Sequence, residues 1–245
     1  MNSKKFNVFL NSKIGSFNNT IQVDADKSLS IRSFLIGSIS EKISTTKNIL
    51  ESEDVKSTIN ACKKLGVKIK RIKTGKYKIF GKGLGCFYAK KNTSLNVGNS
   101  GTLARLLIGI LSTTPDINIK VIGDSSLNKR NMKELINLMS KFGASFLPKK
   151  KYFLPFKIIS SGMPVGIDYK AGESAQLKSA VMFAGLNSYG ITTIEEKIKS
   201  RDHTENLLIK NTQSIKIKKG SKKIIKIFGK KNLNPLDINV GGDPS

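Results

Sequence analysis

The chain has 245 residues, 38% of them hydrophobic, and 43 Lys and Arg against 17 Asp and Glu give a formal net charge of +26 at pH 7. That is enough apolar material for one large α/β domain or two small ones. Two cysteines exclude a disulfide scaffold, a single histidine (His203) argues against a zinc site or a serine-type triad, and no apolar run nears the roughly 18 residues that span a bilayer.

The charge admits two readings. It suits a polyanionic partner: nucleic acid, an anionic membrane face or phosphorylated small molecules. It is also what a compositionally biased genome produces, because Lys, Asn and Ile are used heavily throughout and the lysines are scattered, with short clusters at 149–151, 218–219 and 222–223. Aromatic residues are only 7% and Trp is 0, so the stacking signature of RNA binding is missing and no nucleic-acid partner is expected. The start, MNSKKFNVFLNSK, has no secretory core, and a soluble, reducing, cytoplasmic setting with no membrane partner is expected.

In chain order, residues 1–20 read as an extended lead-in with a strand at Phe6–Leu10, and Ile21–Val23 as another strand. A helix follows from Lys27, its apolar positions 31, 34, 35 and 39 at helical spacing. Ser52-Glu53-Asp54 opens a second helix (Val55, Ile59, Cys62, Leu65) that stops at Gly66. Strands are expected at Val67–Ile72 and Tyr77–Phe80 around a turn at Thr74-Gly75. Gly81–Gly85 is a glycine-rich turn rather than a phosphate loop, because no strand–loop–helix context surrounds it.

The pattern then repeats. A short strand at Leu95–Val97 breaks at Gly98, and Asn99 or Ser100 caps a helix running to Leu111. Strand Ile117–Ile122, turn 123–126, helix Arg130–Phe142 and strands Ser145–Leu147 and Phe156–Ile159 come next. Residues 166–169 lead into a helix over Ser174–Leu186; strand Ile191–Ile194, helix Asp202–Lys210 and strands Ser214–Ile217 and Ile224–Phe228 complete a third round. Aligned, the first helices are KSLSIRSFLIGSI, NSGTLARLLIGIL and SAQLKSAVMFAGL, recurring at roughly 70–75 residues, too long for a solenoid repeat. The implied unit is β-α-β-α-β-β, three times over.

Each unit places its ligand-ready residues at the start of its first helix: Lys27 and Ser28, Asn99 and Gly101, Ser174 and Gln176. Helix N-termini carry free N–H groups and the positive end of the helix dipole. Three of them aimed at one place, with Lys27, Arg32 and Arg130 beside them, make an anion receptor. Plainer readings stand alongside: Arg32 and Arg105 paired with carboxylates at a helix surface, Ser28, Asn99 and Ser174 as simple N-caps, Asp124 as a turn residue and His203 as a cap or surface residue.

At these positions the chain resembles the 5-enolpyruvylshikimate-3-phosphate synthase (3-phosphoshikimate 1-carboxyvinyltransferase) family. The matches are DKSLSIR at 26–32, GNSGTLARL at 98–106, GDSSLNKRNM at 123–132, SAQLKSAVMFAGL at 174–186 and SRDHTE at 200–205, in the family's order. The resemblance implies an α/β fold of two domains, each of three β-α-β-α-β-β units, with substrates in the cleft between them. It assigns 21–240 to one such domain, 1–20 to a lead-in from the other, and 241–245 to the crossover back. The reaction implied is transfer of the enolpyruvyl group of phosphoenolpyruvate to the 5-hydroxyl of shikimate 3-phosphate, in the shikimate route to aromatic amino acids, with no cofactor or metal.

Carried over residue by residue, the resemblance gives Lys27 contact with both substrates and makes it the candidate catalytic cation. Ser28 and Arg32 hold the shikimate moiety, Gly101 and Arg130 the phosphoenolpyruvate phosphate, Ser174 the shikimate phosphate, and Gln176 both ligands; Ser200 or Arg201 assists at the phosphate. Ala25, Ile31 and Asn131 depart from the family's glycine, histidine and proline without removing a charged ligand. The family's proton-transferring acid and its remaining Arg and Lys ligands fall beyond residue 245. The expectation is therefore a partial chain, inert alone and needing its second domain, of a monomeric enzyme sensitive to glyphosate. UDP-N-acetylglucosamine enolpyruvyl transferase and a non-catalytic basic module are the alternatives; the first lacks support in any uridine-type loop, the second rests on charge alone.

Overall fold

A computed structural model describes residues 9, 11, 18 and 23–243, so the strand expected at Phe6–Leu10 lies almost wholly outside the described residues. Of Ile21–Val23 only Val23 is described, and it is in no strand. The ordered chain runs α1 (Lys27–Ile39), β1 (Ile43–Lys47), α2 (Glu53–Lys64), β2 (Lys68–Lys73), β3 (Lys76–Phe80), β4 (Ser94–Asn96), α3 (Gly101–Thr113) and β5 (Asn118–Ile122). A 3-10 turn at Leu127–Lys129 leads to α4 (Lys133–Lys141), β6 (Ser145–Leu147), β7 (Phe156–Ile159), β8 (Asp168–Ala171) and α5 (Ala175–Leu186). Then follow β9 (Ile191–Glu196), α6 (His203–Asn211), β10 (Ile215–Lys218), β11 (Lys223–Phe228) and β12 (Asp237–Asn239).

The strands form three four-stranded sheets of one design: β12-β1-β3-β2, β4-β5-β7-β6 and β8-β9-β11-β10. In each, the first two strands are parallel, at Thr46↔Ile238, Leu95↔Val121 and Tyr169↔Ile194, joined through a helix in the second and third sheets, and the remaining pairs are antiparallel. The second and third units are therefore β-α-β-α-β-β as expected. The first differs: its leading strand is β12, from the far end of the chain, and β1 was not anticipated. Ile43–Lys47 (ISTTK) and Asp237–Asn239 (DIN) are short, polar and exposed at alternate positions, so hydrophobic periodicity gives no signal there.

Two kinds of helix cover the sheets. α1, α3 and α5 lie in the centre; α1 is buried continuously from Ser30 to Ile39, α5 from Leu177 to Leu186, and 12 of the 13 residues of α3 are buried. A helix enclosed all round tolerates Ser only when the hydroxyl is satisfied. Ser30, Ser38, Ser112 and Ser179 each donate to the carbonyl four residues back. α2, α4 and α6 are amphipathic and lie outside, burying Val55 and Ile59, Leu135 and Met139, and Leu207 and Leu208. α3 and α5 approach most closely at Gly109, where an added Cβ would lie 2.6 Å from the Ala180 carbonyl oxygen. α4 begins at Lys133 rather than Arg130, because the 3-10 turn intervenes and leaves Arg130 extended at its end.

Candidate functional site

Each of the three central helices has a side-chain cap. Asp26 caps α1, its Oδ1 accepting from Leu29 N–H at 2.6 Å, while Ser100 and Ser174 cap α3 and α5, accepting from Leu103 and Leu177 N–H at 3.2 and 3.3 Å. Ser28 and Asn99 are thus not caps and keep their side chains for other partners. Asp26 is itself held in place: its N–H donates to Gly241 O at 2.9 Å, and Ala25 bridges to Gly242.

Cationic side chains line these helix starts. Lys27, the first residue of α1, is half-exposed, with Nζ 3.4 Å from Asp54 Oδ2 at the start of α2. Arg32, one turn on, is 3% exposed and has no carboxylate within ion-pair distance among the described residues. Its guanidinium donates to Thr204 Oγ1 at 2.8 Å, Ser28 O at 3.1 Å and Ser179 Oγ at 3.3 Å. Burial brings its pKa down to about 10, with Asp26 and Glu205 opposing and Arg201 reinforcing that shift. A buried guanidinium offered only hydroxyls and a carbonyl is short of anionic charge.

α3 presents a second cationic group. Arg105 Nη1 donates to Gly101 O at 3.2 Å and to Gln176 Oε1 at 2.9 Å, and Gln176 Nε2 donates to Thr102 Oγ1 at 3.0 Å. Gln176 therefore stitches the first turn of α5 to that of α3. Arg130 donates to Asn99 Oδ1 at 3.1 Å. A Cβ on Gly101 would lie 2.9 Å from Nη1 of both Arg105 and Arg130, so the two guanidinia meet over the bare backbone there. Burial, then repulsion from Arg130, lowers the pKa of Arg105. The carboxylate pairing considered for Arg32 and Arg105 is absent among the described residues.

The sequence-predicted residues thus fall into one connected arrangement. Lys27, Ser28 and Arg32 lie along α1; Arg32 reaches α5 through Ser179; Ser174 and Gln176 open α5; Gln176 reaches Arg105 and Gly101 on α3; and Arg130 faces Gly101 from the 3-10 turn. Such an arrangement can hold oxyanions on oriented N–H groups and guanidinium forks. Asp124 accepts from Leu127 N–H at 2.7 Å, a turn role, and His203 opens α6 with its Nδ1 buried and unpartnered.

Sequence reasoning did not foresee a cluster just behind this surface. Lys178 is fully buried, with Nζ 2.6 Å from Glu196 Oε1 and 2.7 Å from Glu205 Oε1, and Lys223 Nζ lies 3.4 and 3.2 Å from the same two carboxylates. The available signal was a lone lysine inside the apolar run AQLKSAVMFAGL. Thr204 and Ser179, which orient Arg32 and donate to or accept from each other at 2.8 Å, were likewise unanticipated.

Comparison with known proteins identifies the family. The family description "EPSP synthase (3-phosphoshikimate 1-carboxyvinyltransferase)" matches residues 12–245. Among curated relatives, the 3-phosphoshikimate 1-carboxyvinyltransferase of Sulfurihydrogenibium sp. is 39% identical over 239 residues, 95% of this chain and 54% of its own length. That of Novosphingobium aromaticivorans is 37% identical over 234 residues, 94% of this chain and 53% of its own length. An EPSP synthase structure from Acinetobacter baumannii superposes with a TM-score of 0.83 at 35% identity, covering 91% of this chain and 49% of that one. The chain spans about half the length of these relatives. The family match over residues 12–245, these relatives and the superposing fold show that the chain belongs to the EPSP synthase family.

Proposed function

We propose that this chain supplies the shikimate-3-phosphate-binding half of a 3-phosphoshikimate 1-carboxyvinyltransferase, with residues 21–240 as one domain and the segments on either side joining it to a second. The observation that carries the reading is a set of unpaired cations: Arg32 is buried and Arg105 half-buried, and neither has a carboxylate within ion-pair distance among the described residues. In this reading Ser28 and Arg32 hold the shikimate moiety, Arg32 through a guanidinium already oriented by Thr204 and Ser179. Ser174 holds its phosphate, with Ser200 or Arg201 assisting. Gly101 N–H and Arg130 hold the phosphate of phosphoenolpyruvate, and Gln176 spans both ligands.

The chemistry adds a proton to the vinyl methylene of phosphoenolpyruvate while the 5-hydroxyl attacks the adjacent carbon, giving a tetrahedral intermediate. That intermediate loses the methyl proton and phosphate to leave the enolpyruvyl ether. Lys27 Nζ, close to both ligands, offsets the charge that gathers on the phosphate and carboxylate as they are brought together. The acid that moves the proton belongs to the second domain in this reading, so the chain alone binds without turning over. In this reading the complete protein acts as a cytoplasmic monomer on two small phosphorylated substrates.

Isothermal titration of the purified chain with shikimate 3-phosphate tests this. Saturable binding is expected, weakened by about tenfold or more in Arg32→Met because a charged hydrogen-bond fork is lost. Phosphate release from phosphoenolpyruvate is expected only when the second half is added in trans. Absence of binding, or equal affinity in Arg32→Met, overturns the reading.

A further inference from the structure

Replacing a buried ion cluster by apolar side chains of similar volume is commonly neutral or stabilising. Lys178, Glu196, Glu205 and Lys223 therefore call for a reason other than stability. The cluster balances two positive against two negative charges, and Lys178, Glu196 and Glu205 are essentially inaccessible. Glu196 Oε1 has a further duty. It accepts from Ser200 N–H at 3.0 Å and from Ser200 Oγ at 2.7 Å, besides Lys178 Nζ. Residues 197–199 between them are exposed, so this one oxygen draws the chain back after β9.

The neighbours of the cluster in sequence matter too. Ser179 follows Lys178 and Thr204 precedes Glu205, and these two hydroxyls hold the Arg32 guanidinium. Arg201 follows Ser200 and lies near enough to Arg32 to repel it. One buried cluster thus fixes the first turns of α5 and α6 and the loop between β9 and α6.

We propose that Glu196, clamped by Lys178 and Lys223, is a positioning residue that sets Ser200 and Arg201 at the edge of the site to receive the phosphate of the bound sugar-like acid. This rests on the reading of the site given above. Glu196 touches no ligand; it acts through the hydrogen bonds to Ser200. Its carboxylate stays ionised, since the Lys178 and Ser200 hydrogen bonds outweigh the opposing effect of burial and bring it down to about 2.

The test compares the double variant Lys178→Met/Glu196→Leu with the unaltered chain, titrating shikimate 3-phosphate and unphosphorylated shikimate in parallel. The variant keeps charge balance, with Lys223 still facing Glu205. Its thermal midpoint is expected to be equal or higher, its affinity for shikimate 3-phosphate about tenfold lower, and its affinity for shikimate unchanged. Equal losses for both ligands would mark general loosening and overturn the proposal, as would an undiminished preference for the phosphorylated ligand. If the unaltered chain binds neither ligand, the reading of the site fails first and takes this inference with it. Should the double variant not fold, amide exchange in the unaltered chain decides: Ser200 N–H exchanging as fast as Lys199 refutes the clamp, and protection lost in Glu196→Gln supports it.

Discussion

Gly109 and Gly101 sit on the same helix, and the same substitution at each should give opposite results. Consider Gly109→Ala. The new Cβ would lie 2.6, 2.8 and 3.0 Å from the carbonyl oxygen, Cα and carbonyl carbon of Ala180. All three are backbone atoms inside α5, so no rotamer change relieves the contact; the helices must separate by several tenths of an ångström. Alanine gains about 0.5–1 kcal/mol over glycine in a helix interior. Overpacking a tight interior costs about 1–3 kcal/mol. The net loss is about 1 kcal/mol or somewhat more, which in a domain of this size lowers Tm by about 2–4 °C per kcal/mol. Separation of α3 from α5 also lengthens the bridge from Gln176 to Arg105 and Thr102, now 2.9 and 3.0 Å, so on the proposed function phosphoenolpyruvate binding should weaken as well. Circular-dichroism melts of the purified chain read the first effect and calorimetric titration the second. A Tm equal to or above that of the unaltered chain would refute the argument, because it would mean that the helices are not locked at Gly109.

Gly101→Ala meets the movable ends of Arg105 and Arg130 at 2.9 Å and Leu127 Cδ1 at an ordinary 3.9 Å, so Tm should stay within about 2 °C; on the proposed function affinity for phosphoenolpyruvate falls about tenfold, and unchanged affinity would remove Gly101 from the proposed phosphate site. Acid should destabilise the fold in a defined window. The Arg71 hydrogen bond, helped by Gly75 N–H and Tyr77 OH, holds Glu51 at about 2, and Glu196 is also at about 2, against an ordinary 4.5. Depressed carboxylates stabilise above their unfolded pKa, and that contribution disappears as pH falls from about 4.5 towards 2. Urea midpoints across that range should show the loss, and Glu51→Gln should flatten part of it. Each sheet opposes lysines directly, as Lys70↔Lys78, Lys120↔Lys157 and Lys216↔Lys226. Like charges so placed repel, so Tm should rise with added NaCl and Lys120→Glu should raise it at low salt; a salt-independent Tm would show the lysines to be too well solvated to interact.

The central helices and most hairpin strands were legible because their burial leaves a mark in composition. SIRSFLIGSI and LKSAVMFAGL admit no other place than an interior, and glycines at 66 and 143 end the outer helices visibly. β1 and β12 were not legible for the opposite reason. ISTTK and DIN owe their strand state to each other, across nearly the whole chain, and neither carries a pattern that stands alone. The site shows the same division. Lys27, Gly101, Ser174 and Gln176 stand at helix starts, where local sequence declares an anion-ready geometry, with Arg32 one turn into α1 and Arg130 at the end of the 3-10 turn. What orients them does not: Thr204 and Ser179 around Arg32, Gln176 bridging to Arg105, and Glu196 holding Ser200 are long-range hydrogen bonds of ordinary polar residues. Arg105 is the instructive case. Its helical position suggested a surface ion pair, and only the packing of α3 against α5 turns it inward onto Gln176.

That β12 completes the first sheet also bears on how Lys27 is placed. Thr45 N–H donates to Leu236 O, Val240 N–H to Lys47 O and Asn48 Nδ2 to Val240 O, at 2.8, 3.0 and 2.7 Å. The strand thus runs beside β1 and delivers residues 241–243 to the start of α1. There Asp26 N–H donates to Gly241 O at 2.9 Å and Asp243 N–H to Asp24 O at 2.8 Å. Asp26 caps α1, and Lys27 is its first residue, so the position of the candidate catalytic cation is set by backbone pairing between two segments more than two hundred residues apart. Residues 24–26 and 241–243 therefore meet at the start of α1, where the proposed chemistry places Lys27. In the two-domain enzyme proposed above, movement of the second domain would bear on residues 23–26 and 241–243. On that proposal domain closure and the placement of Lys27 are coupled, and substitutions that break the pairing, such as Gly242→Val against Val23, should lower turnover of the two-domain enzyme more than they lower the affinity of this domain for shikimate 3-phosphate.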